Sequence, residues 1–229
     1  MFAATRWTLI LAAQDERSGR NALVELCAIY WYPLYAFARR SGFSQPEAED
    51  LTQEFFARLL AKNYLAEVEL GKGRFRSFLL ASLRHFIANE RDRARAIKRG
   101  GGQLVIPLDA TSAETRYLRE PADTASPDKL FDRQWALTVL GQVLARLRAE
   151  FAGEGKEAVF ETLKGALTGE EGGYAEIGAR LGMSEGAVKV AVHRMRKRYR
   201  QLLREEIAQT VSEPVEVDEE IQCLFAALT

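Results

Sequence analysis

Apolar residues recur at steps of three and four along most of the chain, which is the spacing of one face of an α-helix. Between residues 21 and 40 this spacing predicts a helix with one apolar face, formed by Leu23, Leu26, Tyr30, Leu34 and Phe37. Alternation of apolar and polar residues, which is typical of a half-buried strand, is never sustained. The pattern therefore predicts an all-α fold.

Local start and stop signals set the limits of the next helices. The segment Ser44–Glu47 resembles a capping box with an early proline, and it predicts a helix that runs to about Lys62. A third helix is expected from about Phe75 to Arg99, where three consecutive glycines stop it. The apolar stripe of the second helix is expected to consist of Leu51, Phe55 and Leu59, broadened by Phe56 and Leu60.

The middle of the chain, from Gln103 to Pro127, contains three prolines and little periodicity, which is typical of a linker with at most one short ordered piece. Ser126-Pro127-Asp128 then predicts the start of another helix. We expect two small helical domains, residues 1–102 and 135–211, joined by a flexible linker over residues 103–134. An acidic tail, residues 212–229, follows the second domain.

The segment from Tyr174 to about Arg200 has the pattern of a helix-turn-helix. Two crossing helices need a small residue at their contact, which Gly178 supplies, and a turn residue that tolerates positive φ, which Gly182 supplies. Ser184 is a natural N-cap for the second helix. The apolar wedge between the helices is expected to consist of Ile177, Leu181, Met183, Val188 and Ala191.

An amphipathic helical hairpin with a solvated basic face is the alternative interpretation of this segment. The charge pattern favours DNA binding, because a merely solvated helix usually alternates signs, whereas seven basic residues lie between Lys189 and Arg204 without an acid. In a DNA-binding motif of this kind the first residues of the second helix enter the major groove, and the later arginines neutralise phosphates.

The formal net charge of the chain is zero, yet the charges are unevenly distributed. The segment from Lys72 to Arg99 has nine basic and two acidic residues, whereas the segment from Ser212 to Thr229 has five acids and no base. Two separated basic segments, Lys72–Arg99 and Lys189–Arg204, indicate two contacts with one polyanion.

Composition excludes several other classes of protein. No stretch approaches the ~18 uncharged apolar residues that a membrane span needs, and the N-terminus lacks the pattern of a signal peptide. With Cys27 and Cys223 as the only cysteines, a disulfide framework or a four-cysteine zinc site is excluded. We expect a cytoplasmic protein without a metal site or cofactor.

The first predicted domain carries a second constellation of residues. The segment Ala48–Leu59 is acidic and polar on one side of its helix and apolar on the other. The segment Arg74–Arg95 interleaves basic and aromatic residues, a pattern that suits single-stranded or distorted nucleic acid. Taken alone, Phe75, Phe78 and Phe86 are better explained as core residues than as platforms for bases.

Taken in their order along the chain, the acidic helix, the basic and aromatic helix and the helix-turn-helix resemble a bacterial RNA polymerase sigma factor. The resemblance is to the sigma-70 family, extracytoplasmic-function (ECF) group, and covers about residues 20–100 and 135–205. In that family the segment similar to AEDLTQEFF docks on core polymerase, and the one similar to FRSFLLASLRHFIANERDRAR melts and reads the −10 element. The helix-turn-helix reads the −35 element. The resemblance implies a non-enzymatic promoter-specificity subunit whose partners are core RNA polymerase and promoter DNA.

The resemblance also implies three sets of contact residues in this chain. The contacts with core polymerase are expected from Asp50, Leu51, Gln53, Glu54 and Arg58. Those with the −10 element are expected from Arg76, Phe78, Arg84, His85, Asn89, Arg91 and Arg93. Those with the −35 element are expected from Ser184, Glu185, Lys189, His193, Arg194, Arg196 and Lys197.

Four positions, two in each of two predicted helices, depart from the family pattern. His85 and Asn89 occupy positions where the family often has Asn and Asp, and Val190-Ala191 replaces a frequent pair of a polar residue and Arg. Reading of the −35 bases is then expected to depend on Glu185, Lys189 and His193, with methyl contacts to thymine from Ala187 or Ala191.

Other functions and modes of control stay open from the sequence. An ordinary helix-turn-helix regulator would bind its operator alone, as a dimer on a palindrome. An enzyme with Glu49, Asp50 and Glu54 as metal ligands is disfavoured, because no second acidic cluster joins them. The tail is expected to form a short helix packed on the last domain, or an inhibitory or partner-binding element. Members of the family are controlled by anti-sigma factors, by kinases or by their own extensions.

Overall fold

The computed structural model describes residues 19–60, 74–96, 110–119, 126–168 and 173–229. These residues form ten helices and no strand, which confirms the all-α class. None of the described helices is long and apolar enough to cross a membrane. The helices are α1 Gly19–Arg40, α2 Gln45–Leu60, α3 Phe75–Ala96, α4 Ala110–Leu118, α5 Pro127–Gly153, α6 Glu157–Leu163, α7 Gly165–Thr168, α8 Tyr174–Leu181, α9 Glu185–Ala208 and α10 Glu216–Ala226.

The chain divides into two compact units. Residues 1–138 and 207–229 belong to the first unit, and residues 139–206 to the second. The divisions fall inside α5 and α9, which are both continuous helices. Helix α4 and the first turns of α5, which lie in the segment expected to be a linker, group with the first unit. The C-terminal segment groups with the first unit too, not with the helix-turn-helix domain on which a packed tail helix was expected.

Helix α1 is buried on all sides over residues 29–38. Every residue from 29 to 38 is buried, whereas the apolar spacing had predicted one buried face. Its Tyr30 ring packs edge-on against Phe75 of α3, with ring centres 5.2 Å apart. Phe55 of α2 and Phe86 of α3 add a second aromatic contact at 5.8 Å. The core of the first unit is therefore aromatic and is built around α1.

Helix α4 is held on α1 by polar contacts. Arg39 donates two hydrogen bonds to the Glu114 carboxylate, at 3.0 Å to Oε2 and 2.7 Å to Oε1, and the Tyr35 hydroxyl donates a third. These contacts, led by the hydrogen bonds from Arg39, lower the pKa of Glu114 from its ordinary value. Arg116 also donates to the Gln134 side-chain oxygen of α5, at 2.8 Å. These bonds explain why this part of the expected linker is ordered.

The second unit has its own apolar core. The unit consists of the later part of α5, the short helices α6 to α8 and most of α9. The rings of Phe151 and Phe160 lie 5.8 Å apart. The buried side chains of this core include Val143, Leu147, Phe160, Leu163, Val188, Val192, Met195 and Leu202.

Candidate nucleic-acid interface

The turn between α8 and α9 depends on two glycines. Gly182 ends α8 in the left-handed conformation, with φ of 64° and ψ of 30°, and its N–H donates to the Gly178 carbonyl oxygen. Met183 N–H donates to the same oxygen at 2.8 Å. A Cβ atom at Gly178 would lie 2.5 Å from the Met183 carbonyl oxygen, which is closer than any side chain can approach. The structure confirms the roles that the sequence predicts for both glycines.

Helix α9 begins as its sequence predicts. The Ser184 hydroxyl oxygen accepts a hydrogen bond from Ala187 N–H at 3.2 Å, which is the N-cap contact. Val188 is fully buried in the wedge between the helices. Of the other residues expected there, Ile177, Leu181, Met183 and Ala191 are half-buried. Val192 and Met195, which the sequence analysis did not assign to the core, are buried along the same stripe of α9.

The opposite side of α9 is exposed and mostly polar or basic. With Val188, Val192 and Met195 buried, the helical period turns the residues between them outward. All seven residues expected at the −35 element are exposed: Ser184, Glu185, Lys189, His193, Arg194, Arg196 and Lys197. Gly186 and Val190 lie on the same exposed face.

Two of the exposed residues are paired with each other. Lys189 Nζ lies 2.7 Å from Glu185 Oε1, and the hydrogen bond to this carboxylate raises the pKa of Lys189 above its ordinary value. The ammonium group also lies 5.9 Å from the ring centre of Tyr174. Contact of Lys189 with a base or phosphate therefore requires this exposed pair to open or to share the new partner.

Two of the later arginines of α9 donate hydrogen bonds to groups within the second unit. Arg196 donates from Nη2 to the Ala166 carbonyl oxygen at 2.7 Å, and from Nε to the same oxygen at 3.1 Å. Arg198 donates to both oxygens of Glu150, at 2.8 and 2.6 Å. These contacts fix α9 on α7 and α5. Both arginines were expected among the phosphate-binding cations, because charge alone does not distinguish them from Arg194 or Lys197.

Helix α3 presents an exposed stripe in the first unit. Arg84, His85 and Asn89 of the expected −10 set are exposed on it, and Arg84 is paired with Asp128 of α5. Of the three phenylalanines that the pattern predicts as core residues, Phe75 and Phe86 are buried, whereas Phe78, which the resemblance also placed at the −10 element, is half-buried. Arg91 and Arg93 lie on α3, but their side chains are outside the described part of the structure.

Arg76, also expected at the −10 element, is buried by the C-terminal segment. Its Nε donates to Glu220 Oε1 of α10 at 2.6 Å, and its Nη1 contacts Asp132 of α5. The neighbouring Arg74 places Nε 3.1 Å from Glu220 Oε2. Phe75 N–H donates to the Thr210 carbonyl oxygen at 2.9 Å. The start of α3 is thus enclosed by residues that follow α9.

Helix α2 carries the acidic face expected to contact core polymerase. The capping box is confirmed at its start, since Glu47 accepts a hydrogen bond from Ser44 N–H at 2.8 Å. Asp50 and Glu54 are exposed, and Leu51 and Gln53 are half-buried.

Arg58, the remaining residue of the expected polymerase-binding set, links α2 to α3. It pairs with Glu54 and with Glu90, at 2.8 Å in the second pair, and its guanidinium lies 4.9 Å from the Phe86 ring centre. The part of the chain that the structure describes contains no group of three or more His, Cys, Asp and Glu side chains that could hold a metal ion.

Comparison with known proteins finds a distant similarity. The chain is similar to the ECF RNA polymerase sigma factor SigE of Mycolicibacterium smegmatis, with 28% identity over 207 residues. The alignment covers 89% of this chain and 70% of that relative. No protein-family model and no solved structure matches the chain. The distant similarity supports a sigma-factor role in transcription initiation and carries no information about a promoter sequence.

Two features of these surfaces were not predicted from the sequence. Glu220 appeared only as one of five acids in the tail, and nothing local to it indicates burial against Arg76. Val190 was noted as a departure from the family pattern, yet its exposure was not anticipated. The helical step from Val188 and Val192, both buried, could have shown that Val190 faces outward.

Proposed function

We propose that this protein is an ECF-type RNA polymerase sigma factor that directs core polymerase to specific promoters and assists promoter opening. The similarity to an ECF sigma factor over 89% of the chain carries this proposal. A regulator that shared only its helix-turn-helix would align over Tyr174–Arg200 alone. The alignment instead extends over residues of both units.

The second unit supplies the contact with the −35 element in this proposal. A recognition helix reads base edges with its first turns, while basic residues beside them neutralise phosphates. Helix α9 supports this role, because Glu185, Lys189 and His193 are exposed in its first turns and Arg194 and Lys197 follow on the same side. Arg196 and Arg198 act mainly by holding α9 in its unit.

The first unit supplies the contacts with the −10 element and the polymerase. Arg84, His85 and Asn89 form an exposed polar stripe on α3 that can contact an opened strand. Asp50 and Glu54 on α2 offer negative charge to a basic surface of the polymerase, and half-buried Leu51 adds apolar area beside them. DNA opening in this scheme draws on binding energy, because captured bases offset the loss of stacking.

Complex formation with core RNA polymerase tests the proposal. The purified protein is mixed with core polymerase at moderate salt, and co-elution is measured for the wild type and for Asp50→Lys. We expect a stable complex that the charge reversal weakens by at least about tenfold. Glu213→Lys, at an exposed acid before α10, is the matched control and should leave the complex unchanged.

Two results would contradict the proposal. The first is the absence of a complex with core polymerase at moderate salt. The second is tight binding of a palindromic duplex by a dimer of the protein alone, which is the behaviour of an ordinary helix-turn-helix regulator.

A further inference from the structure

Val190 is the only exposed large apolar side chain among the described residues of the second unit, 139–168 and 173–206. Half of its surface is exposed. It lies in the second turn of α9, in the middle of the face that the proposed function assigns to the major groove. Lys189 and Arg194 are exposed beside it, as is the polar His193, so an apolar group lies between two cations.

The backbone around Val190 favours close approach of another molecule. Gly186 lies one turn earlier on the same face, and a Cβ atom there would meet nothing within 4 Å. No side chain therefore covers the backbone at Gly186 itself. Valine in a helix has one strongly preferred rotamer, so its methyl groups are already ordered before any contact forms.

The neighbouring alanines are less suited to reach a base. Ala187 and Ala191, which the sequence analysis considered for methyl contacts, are both half-buried and project by a single methyl group. Val188 and Val192 are buried in the core of the unit. Val190 is thus the apolar group of α9 that extends furthest from the unit.

We propose that Val190 determines promoter specificity by packing against the 5-methyl group of a thymine in the upstream promoter element. In the major groove this methyl is the apolar feature that distinguishes thymine from the other bases. Burial of the two groups against each other removes apolar surface from water, while the surrounding cations neutralise phosphates. The inference rests on the proposed function, since it requires α9 to lie in the groove of promoter DNA.

Replacement of thymine by deoxyuridine tests this contact, because it removes the methyl group and nothing else. Promoters are first selected from a random library by the complex of the protein with core polymerase. Each thymine of the upstream element is then replaced singly by deoxyuridine, and equilibrium affinity is measured for the wild type and for Val190→Ala. At one thymine we expect the wild type to lose about threefold to fourfold in affinity, the effect of one buried methyl group. Val190→Ala should lose almost nothing there.

Matched variants separate recognition from folding. Val215→Ala makes the same change at an exposed valine outside the second unit, and it should keep the wild-type response to deoxyuridine. Val190→Thr preserves the shape of the side chain and one methyl group, so it should fold and retain part of the response.

Equal responses of the wild type and Val190→Ala at every thymine would overturn the proposal. Failure of the proposed function has a different signature, namely no complex with core polymerase. That result would overturn this proposal as well, because the protein would then read no promoter.

Discussion

Arg76 and Glu220 form a buried ion pair, with Arg76 Nε 2.6 Å from Glu220 Oε1, although 144 residues separate them in the chain. Glu220 is fully buried, and the Arg76 guanidinium also lies 4.8 Å from the ring centre of Trp135. Carboxylates from α5 and α10 therefore enclose this cation. The pair makes the C-terminal helix a structural part of the first unit.

Loss of the Glu220 charge should destabilise the first unit. Glu220→Gln leaves a buried guanidinium with one partner fewer, and we expect the free energy of unfolding to fall by about 3 kcal/mol. Urea unfolding followed by tryptophan fluorescence measures this change, because Trp135 lies against Arg76. Glu219→Gln, at an exposed acid 3.5 Å from Arg74, is the control and should change the value by less than about 0.5 kcal/mol. Equal effects of the two substitutions would refute the importance of the buried pair.

The contact between α4 and α1 should be sensitive to acid. Arg39 and Tyr35 lower the pKa of Glu114 below its ordinary value of 4.5. The ionised Glu114 carboxylate therefore stabilises the fold fully when the pH is above 4.5. This stabilisation is lost as the pH falls through the lower pKa that Glu114 has in the folded state. Unfolding measured between about pH 6 and pH 3 should show a smaller acid-induced loss in Glu114→Gln than in the wild type. Glu154→Gln, at an exposed carboxylate, should follow the wild type.

The helix-turn-helix should not tolerate a side chain at Gly178. In Gly178→Ala the new Cβ atom would lie 2.5 Å from the Met183 carbonyl oxygen, so the turn must shift. We expect a destabilisation of about 1–3 kcal/mol, which outweighs the better helix propensity of alanine. Gly186→Ala is the control, because its Cβ atom would have open space. This substitution should leave stability unchanged or raise it slightly. Thermal unfolding followed by circular dichroism distinguishes the two, and equal melting temperatures would contradict the assigned role of Gly178.

Cations on α9 should differ in their effect on the salt dependence of DNA binding. Lys197 is exposed, and its replacement by alanine should reduce the slope of log K against log salt by about 1, the effect of one lost phosphate contact. Arg198 is held by Glu150, so Arg198→Ala should leave the slope nearly unchanged and lower stability only slightly. A salt titration of duplex binding measures both slopes. A larger change for Arg198→Ala would reverse this assignment.

The features that could be predicted from the sequence are those set by local chemistry. The capping box at Ser44, the left-handed turn at Gly182 and the N-cap at Ser184 all depend on residues within a few positions of each other. Helical spacing also predicted the burial of Phe55 and Val188, because the period of a helix fixes which residues share a face.

The features that could not be predicted depend on distant parts of the chain. The family resemblance implied a −10 contact for Arg76, and charge indicated a phosphate contact for Arg198, whereas carboxylates brought near by the fold hold both side chains. The packing of α4 on α1 depends on the hydrogen bonds between Glu114 and Arg39, which lies 75 residues away. Burial of residues 29–38 of α1 on all sides likewise requires partners that periodicity within α1 does not show.

Transcription from a promoter library, reconstituted with core RNA polymerase, tests the central claim most directly. Start sites are mapped with core polymerase alone and with core polymerase plus this protein. The account predicts new, defined start sites that appear only when the protein is present and that share upstream and downstream sequence elements. Identical transcripts with and without the protein, despite a correctly folded chain, would contradict it.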